Sequence, residues 1–283
     1  MLVLLSPAKT LDFETPLLAS KATQARMVRH SNELVNELRE LSAEAIGKLM
    51  HLSSKLAELN HTRYQNYQPT FTKDNSRQAI LAFRGDVYQG MDLGEWSPDD
   101  FDIAQLQIRI LSGLYGVLRP LDRIQPHRLE MGTKLKNARG DNLYKFWGSL
   151  ITEQLNQDLK DSGSELLVNL ASNEYFSSVK SKEFKGRIVT PVFKDKKNGA
   201  FKTVSFYAKK ARGMMADFIV RNRIESGEDL KAFDTNGYRF NAAASEGNTM
   251  TFLRTTPLIS QNSEVSLVRR EPSFVKARTQ VRN

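Results

Sequence analysis

Residues 1–10 read Met-Leu-Val-Leu-Leu-Ser-Pro-Ala-Lys-Thr, and the first half of that stretch points to the fold class. Leu2 to Leu5 is a continuous apolar run, closed at once by Ser6-Pro7. A short run of this kind is the mark of a strand buried on both faces, as in a parallel sheet. It is not expected to serve as a secretory leader, because it has no basic start and falls short of the apolar core of about 7–15 residues that a leader needs. The loop that follows carries Lys9 just past the strand end, where sites form in α/β folds. Leu166-Leu-Val-Asn-Leu170 is a second such run, closed by the polar loop Ala171-Ser-Asn-Glu-Tyr175.

Helical periodicity lies between these strands. Residues 22–41 and 43–60 place leucines at helical spacing, with a break and recap at Ser42. Ser97-Pro-Asp-Asp100 combines an N-cap serine, a first-turn proline and first-turn acids, so a helix is predicted to start there and run to Leu111. Residues 142–161 predict another amphipathic helix, and Met214 to Arg223 a further one. Ile188–Lys194 and Lys202–Tyr207 read as strands joined by a turn at Asn198-Gly199. Gln78–Phe83 fits either a helix or a buried strand. The expected architecture is therefore α/β (α+β) with a mixed sheet, in one compact domain over residues 1–255. Residues 256–283 lose periodicity and read as a basic, disordered tail.

The 283-residue chain is ordinary in composition, with 40% hydrophobic and 26% charged residues. The absence of cysteine removes disulfides, thiol nucleophiles and thiolate metal sites, and suits a reducing cytoplasm. The four histidines lack ligand spacing, and no P-loop or dinucleotide glycine pattern is present, so neither metal nor cofactor is expected. No apolar run is long enough for a membrane span. Oligomeric state is open, with a monomer as the default. The net charge of +9 is concentrated: residues 180–223 hold 13 Lys/Arg against 3 Asp/Glu. A localised basic surface favours polyanions.

Three stretches carry candidate chemistry. Leu111-Ser-Gly-Leu-Tyr-Gly116, entered from a predicted helix, has the apolar-x-Gly-apolar-x-Gly pattern of a helix–hairpin–helix. There Gly113, Leu114, Tyr115 and Gly116 would offer backbone amides to a phosphate. The same pattern also fits a plain structural corner, and Pro120 keeps any second helix short. Arg119, Arg123, Arg128 and Arg139 follow, with Arg128 and Glu130 spaced to share a strand face and pair. Tyr207-Ala-Lys-Lys-Ala-Arg-Gly213 places Lys209, Lys210 and Arg212 at a strand-to-helix junction, either as a phosphate contact or as a solvated basic turn. One enzymatic alternative remains: a DNA-lesion glycosylase or lyase with Lys9 as Schiff-base nucleophile and Asp141, which follows the glycine hairpin, as its carboxylate.

Five separated motifs bear a family resemblance. They are Ser6-Pro-Ala-Lys-Thr10, Leu111-Ser-Gly-Leu-Tyr-Gly-Val-Leu-Arg-Pro-Leu-Asp122, Arg128-Leu-Glu-Met-Gly132, Asn169-Leu-Ala-Ser172 and Phe206-Tyr-Ala-Lys-Lys-Ala-Arg-Gly213. Over roughly residues 1–255 the chain resembles the YaaA family of bacterial peroxide stress proteins. That resemblance implies a cytoplasmic protein of the peroxide response, associated with limiting free intracellular iron. It also implies a compact α/β fold whose basic cleft, including a helix–hairpin–helix element, binds double-stranded or structured DNA. The contacts would be to the backbone, largely without sequence specificity.

Overall fold

The computed structural model describes residues 1–16 and 18–255; the expected tail at 256–283 lies outside the described residues. In chain order the elements are β1 (Leu2–Leu5), β2 (Thr10–Leu11), β3 (Thr23–Gln24), α1 (Val28–Arg39), α2 (Ala43–Met50), α3 (Ser54–Asn66), β4 (Arg77–Gln78), α4 (Ala79–Ala82), β5 (Phe83–Arg84), α5 (Pro98–Gln107) and β6 (Ile108–Ser112). They continue with β7 (Gly116–Leu118), β8 (Asp122–Ile124), α6 (Leu143–Trp147), α7 (Leu150–Asp161), β9 (Leu166–Asn169), α8 (Asn173–Phe176), β10 (Arg187–Lys197), β11 (Ala200–Lys202), α9 (Ser205–Arg221), β12 (Arg239–Phe240) and β13 (Thr249–Arg254).

The main sheet has eight strands in the order β12-β13-β10-β9-β1-β6-β7, with β11 paired to β10. β1 lies between β6 and β9 and is parallel to both, with Val3 opposite Ile108 on one side and Val168 on the other. All four β1 side chains are fully buried, as the continuous apolar run requires. β9, β10 and β13 continue the parallel set, while β7, β11 and β12 run antiparallel at the edges. The mixed α/β class is as expected. The Asn198-Gly199 turn also forms, both residues having positive φ between β10 and β11. The Ser97 start is a full capping box with Asp100.

Four expectations are corrected. First, α5 stops at Gln107, and Ile108-Arg-Ile-Leu-Ser112 is strand β6, every residue of it buried beside β1. Second, the helix–hairpin–helix does not form, because residues 108–118 are a β-hairpin with Leu111 opposite Val117 and Ser112 opposite Gly116. Its glycines are needed for packing. A Cβ on Gly113 would fall 2.3 Å from the Leu129 carbonyl oxygen, and Gly116 has φ +66° against Met27 and Trp147. Third, α9 begins at Ser205, so the expected strand over Lys202–Tyr207 ends at Lys202 and the basic cluster is wholly helical. Fourth, the helix predicted over 142–161 is broken in two at Gly148, where φ is +51°.

The buried carboxylates are paired. Asp158 accepts from Arg26 and from Arg109, both at 2.5 Å. Asp195 accepts from Arg254 at 2.6 Å and from the Tyr238 hydroxyl at 3.0 Å. His127 is buried, with Nδ1 2.8 Å from the Gln125 carbonyl. Burial pushes the imidazole down to about 4, against the upward pull of the Gln125 carbonyl and with a further lowering by Arg63.

Two predictions follow from this packing. Gly113→Ala should lower unfolding stability by about 3 kcal/mol, the upper end of ordinary overpacking, measured by urea denaturation. His127 binds a proton in the unfolded chain near its ordinary value, and in the folded protein only near 4. Stability should therefore be intact above about pH 6.5 and fall progressively as the pH drops toward 4. Denaturation midpoints over that window should fall less steeply in His127→Asn than in the wild type.

Candidate functional site

β1 is where the strand order reverses, since the chain leaves it for β6 on one side and later returns to β9 on the other. Loops leaving the carboxyl ends of such strands diverge and leave a crevice, the usual ligand position in open α/β sheets. Here three loops meet and are tied into a ring. The Ser172 amide donates to Ser6 Oγ at 2.9 Å, joining the loops after β9 and β1. Lys9 Nζ meets Glu130 Oε2 at 2.7 Å, joining the β1 loop to segment 128–132. The Gly132 amide donates to Glu174 Oε1 at 3.0 Å, closing the ring back to the β9 loop. Two tyrosines brace it: Tyr88 donates to the Ser6 carbonyl at 3.0 Å, and Tyr144 to the Glu174 carbonyl at 2.8 Å.

Glu130 serves two cations, Lys9 at 2.7 Å and Arg128 at 3.0 Å. Burial pushes its carboxyl up, but the hydrogen bonds and charges of Lys9 and Arg128 more than reverse this and hold it below the usual carboxylate range. Tyr175 is buried beneath the ring, and burial with the nearby Glu174 and Glu130 charges pushes its hydroxyl far up, so it stays protonated. The spacing of Arg128 and Glu130 did predict their pairing, although segment 125–132 has no regular strand.

The other sequence candidates are dispersed. Gly113, Leu114, Tyr115 and Gly116 are buried. The Tyr115 amide is bound to Ser112 Oγ and the Gly113 carbonyl to Trp147 Nε1, so the hairpin supports the ring from below rather than facing solvent. Arg119 is bound to buried Asp122 at 2.8 Å, and Arg139 to Glu33. Asp141 is exposed and paired with Lys145 at 2.8 Å, so Asp141 and Lys9 belong to separate ion pairs. Ser6, Ser172 and Glu174 stood in the polar loops that the sequence marked; Tyr88 carried no signal of its own.

Helix α9 joins the ring through the segment containing Tyr88. Gly213 and Gly90 cross so closely that a Cβ on Gly213 would lie 1.8 Å from the Val87 carbonyl oxygen. Near its start, Lys209 lies 3.9 Å from Asp86. Among the described residues, Lys210 and half-buried Arg212 have no carboxylate within ion-pair distance, and burial alone lowers the Arg212 guanidinium. The neighbouring hairpin adds to this charge. Its acid, Asp195, is turned inward to Arg254, while Lys196, Lys197 and Lys202 are exposed. No cluster of three or more metal-ligating side chains, and no helix long and apolar enough to cross a membrane, occurs among the described residues.

Fold and site together define a mixed α/β protein with a polar, loop-built ring at its switch point and a basic helix beside it. The peroxide stress protein YaaA family model matches residues 1–244, and the chain belongs to that family. It is 57% identical to a UPF0246 protein of Aliivibrio fischeri (strain MJ11) over 254 residues, 90% of this chain and 98% of that relative. A UPF0246 protein of Saccharophagus degradans is 54% identical over the same length, 90% of this chain and 99% of the relative.

The ring makes a local prediction. Glu174→Ala removes the acceptor of the Gly132 amide. Amide hydrogen exchange at residues 131–133 should quicken at least about tenfold, with the thermal midpoint nearly unchanged, because this is an exposed contact.

Proposed function

We propose that the protein binds DNA by its phosphate backbone as part of the peroxide stress response. The observation that carries this reading is Arg212, a half-buried arginine without a carboxylate partner among the described residues, on a helix shared with Lys209 and Lys210. A cation partly removed from water and left unpaired is destabilised, and a phosphate would relieve it. The exposed lysines of the β10–β11 hairpin extend the same surface. Contacts from lysines and an arginine fix position on a duplex without reading bases. Protection of DNA and a smaller pool of free iron belong to one response, since ferrous iron and peroxide together generate the radical that cuts DNA.

A second reading, a lesion glycosylase or lyase, has one observation in its favour. Lys9 is paired with Glu130 in the ring of loops, which puts an amine beside a carboxylate. Glu130 would then take the role first considered for Asp141. Borohydride trapping on abasic-site DNA, abolished in Lys9→Ala, would support it.

The main reading is tested by fluorescence anisotropy with duplex and junction DNA across a salt series. Binding should weaken steeply with salt. The Lys209→Ala/Lys210→Ala/Arg212→Ala variant should flatten the logarithmic salt slope by about 2–3, near 0.9 for each lost phosphate contact. An unchanged slope would remove α9 from the interface.

A further inference from the structure

Apart from the ring and α9, the described part of the molecule has a large open groove of about 800 Å³ between α3 and the β2–β5 ribbon. Its volume falls in the range of small-molecule sites, about 300–1,000 Å³. Its apolar lining is Leu11, Phe13, Leu59 and Pro126. Leu59 is 43% exposed there. Leu59 shares the last turns of α3 with the polar lining residues Thr62, Arg63 and Asn66.

Arg63 sets the chemistry. It is half-buried, and its one side-chain hydrogen bond among the described residues is to Asn60 Oδ1 at 3.2 Å, within its own helix. No carboxylate lies within ion-pair distance among those residues. Burial lowers its guanidinium; Tyr64 opposes this less strongly, and the like charge of Arg128 lowers it a little further. Arg128 is already committed to Glu130, and Glu130 is shared with Lys9. The acids on the far lip do not compensate. Asp12 is taken by Arg84 at 2.6 Å, and Glu14 is exposed. A planar fork of donors, partly dehydrated and without an anion, is suited to bidentate phosphate binding.

We propose that this groove binds a nucleotide, its phosphate on Arg63 and its base on the apolar lining of Phe13, Leu59 and Pro126. A phosphate alone would leave that lining unused, and an apolar ligand would leave Arg63 unpaired. Asn66 and Thr62 supply donors and acceptors for a sugar or a base edge. The site is separate from the α9 surface and does not depend on it. The same chemistry has two sources, a free mononucleotide or a nucleotide within a strand.

The test is calorimetric titration of the full chain with deoxyadenosine 5′-monophosphate, with deoxyadenosine and with a short single-stranded oligodeoxynucleotide. The mononucleotide or the oligonucleotide should bind, and deoxyadenosine at least about tenfold more weakly than the mononucleotide where that binds. Arg63→Met should weaken binding at least about tenfold, and Arg63→Lys should recover part of it, since lysine keeps the charge and loses the fork. Phe13→Ala should weaken the same ligand. The α9 triple variant should leave mononucleotide binding unchanged, so failure of this site and of the α9 reading are told apart. Mononucleotide binding identifies a free nucleotide as the ligand. Oligonucleotide binding alone, still sensitive to Arg63→Met, identifies a strand. Absence of binding by either, or binding indifferent to Arg63 in a variant with wild-type thermal stability, overturns the proposal.

Discussion

Everything in this protein is arranged around one constraint: β1 lies between two parallel neighbours, β6 and β9, and is buried on both faces. A parallel pair cannot be closed by a tight turn, so each neighbour has to be reached by a long connection. The excursion from β1 to β6 contains α1–α5 and the short strands β2–β5. The excursion from β6 to β9 contains the β6–β7 hairpin, segment 128–132 and helices α6 and α7. Both return to the same end of the sheet. The three-loop ring of Ser6, Lys9, Glu130, Gly132, Ser172 and Glu174 is the geometric consequence, and Gly113 is the residue that lets segment 128–132 come down close enough to join it.

The charges divide along the same lines. Deep carboxylates are matched, Asp158 by two arginines and Asp195 by Arg254 stacked between Tyr207 and Tyr238. Breaking such pairs would leave a buried charge without compensation, which is strongly destabilising. Arg119, Arg128 and Arg139 are likewise tied to acids of the fold. What distinguishes Arg63 and Arg212 is that burial weakens each guanidinium with no carboxylate of the described fold nearby to restore it. They lie on different helices, α3 and α9, and so mark two different surfaces. Net charge therefore says less about partners here than the pairing state of individual arginines.

Local chemistry made much of this legible in the chain. Apolar runs ended by polar loops located β1 and β9, Asn198-Gly199 located the β10–β11 turn, and Ser97-Pro98 located the start of α5. Each depends on backbone preferences that act within a few residues. The same locality produced the errors. Ile108–Ser112 has no period that separates a helix end from a buried strand, and pairing with β1, more than 100 positions earlier in the chain, decides it. The two glycines of 113–116 suggested exposed amides; whether such a turn faces solvent or Trp147 depends on what packs over it. The residue types, the cation-rich stretch and the strand-end loops were thus set by sequence alone. Which cations were matched, which loops met, and that Arg63 faced a groove were decided by the tertiary structure. Ion pairing and burial depend on distances in space between residues that local preference leaves unconnected.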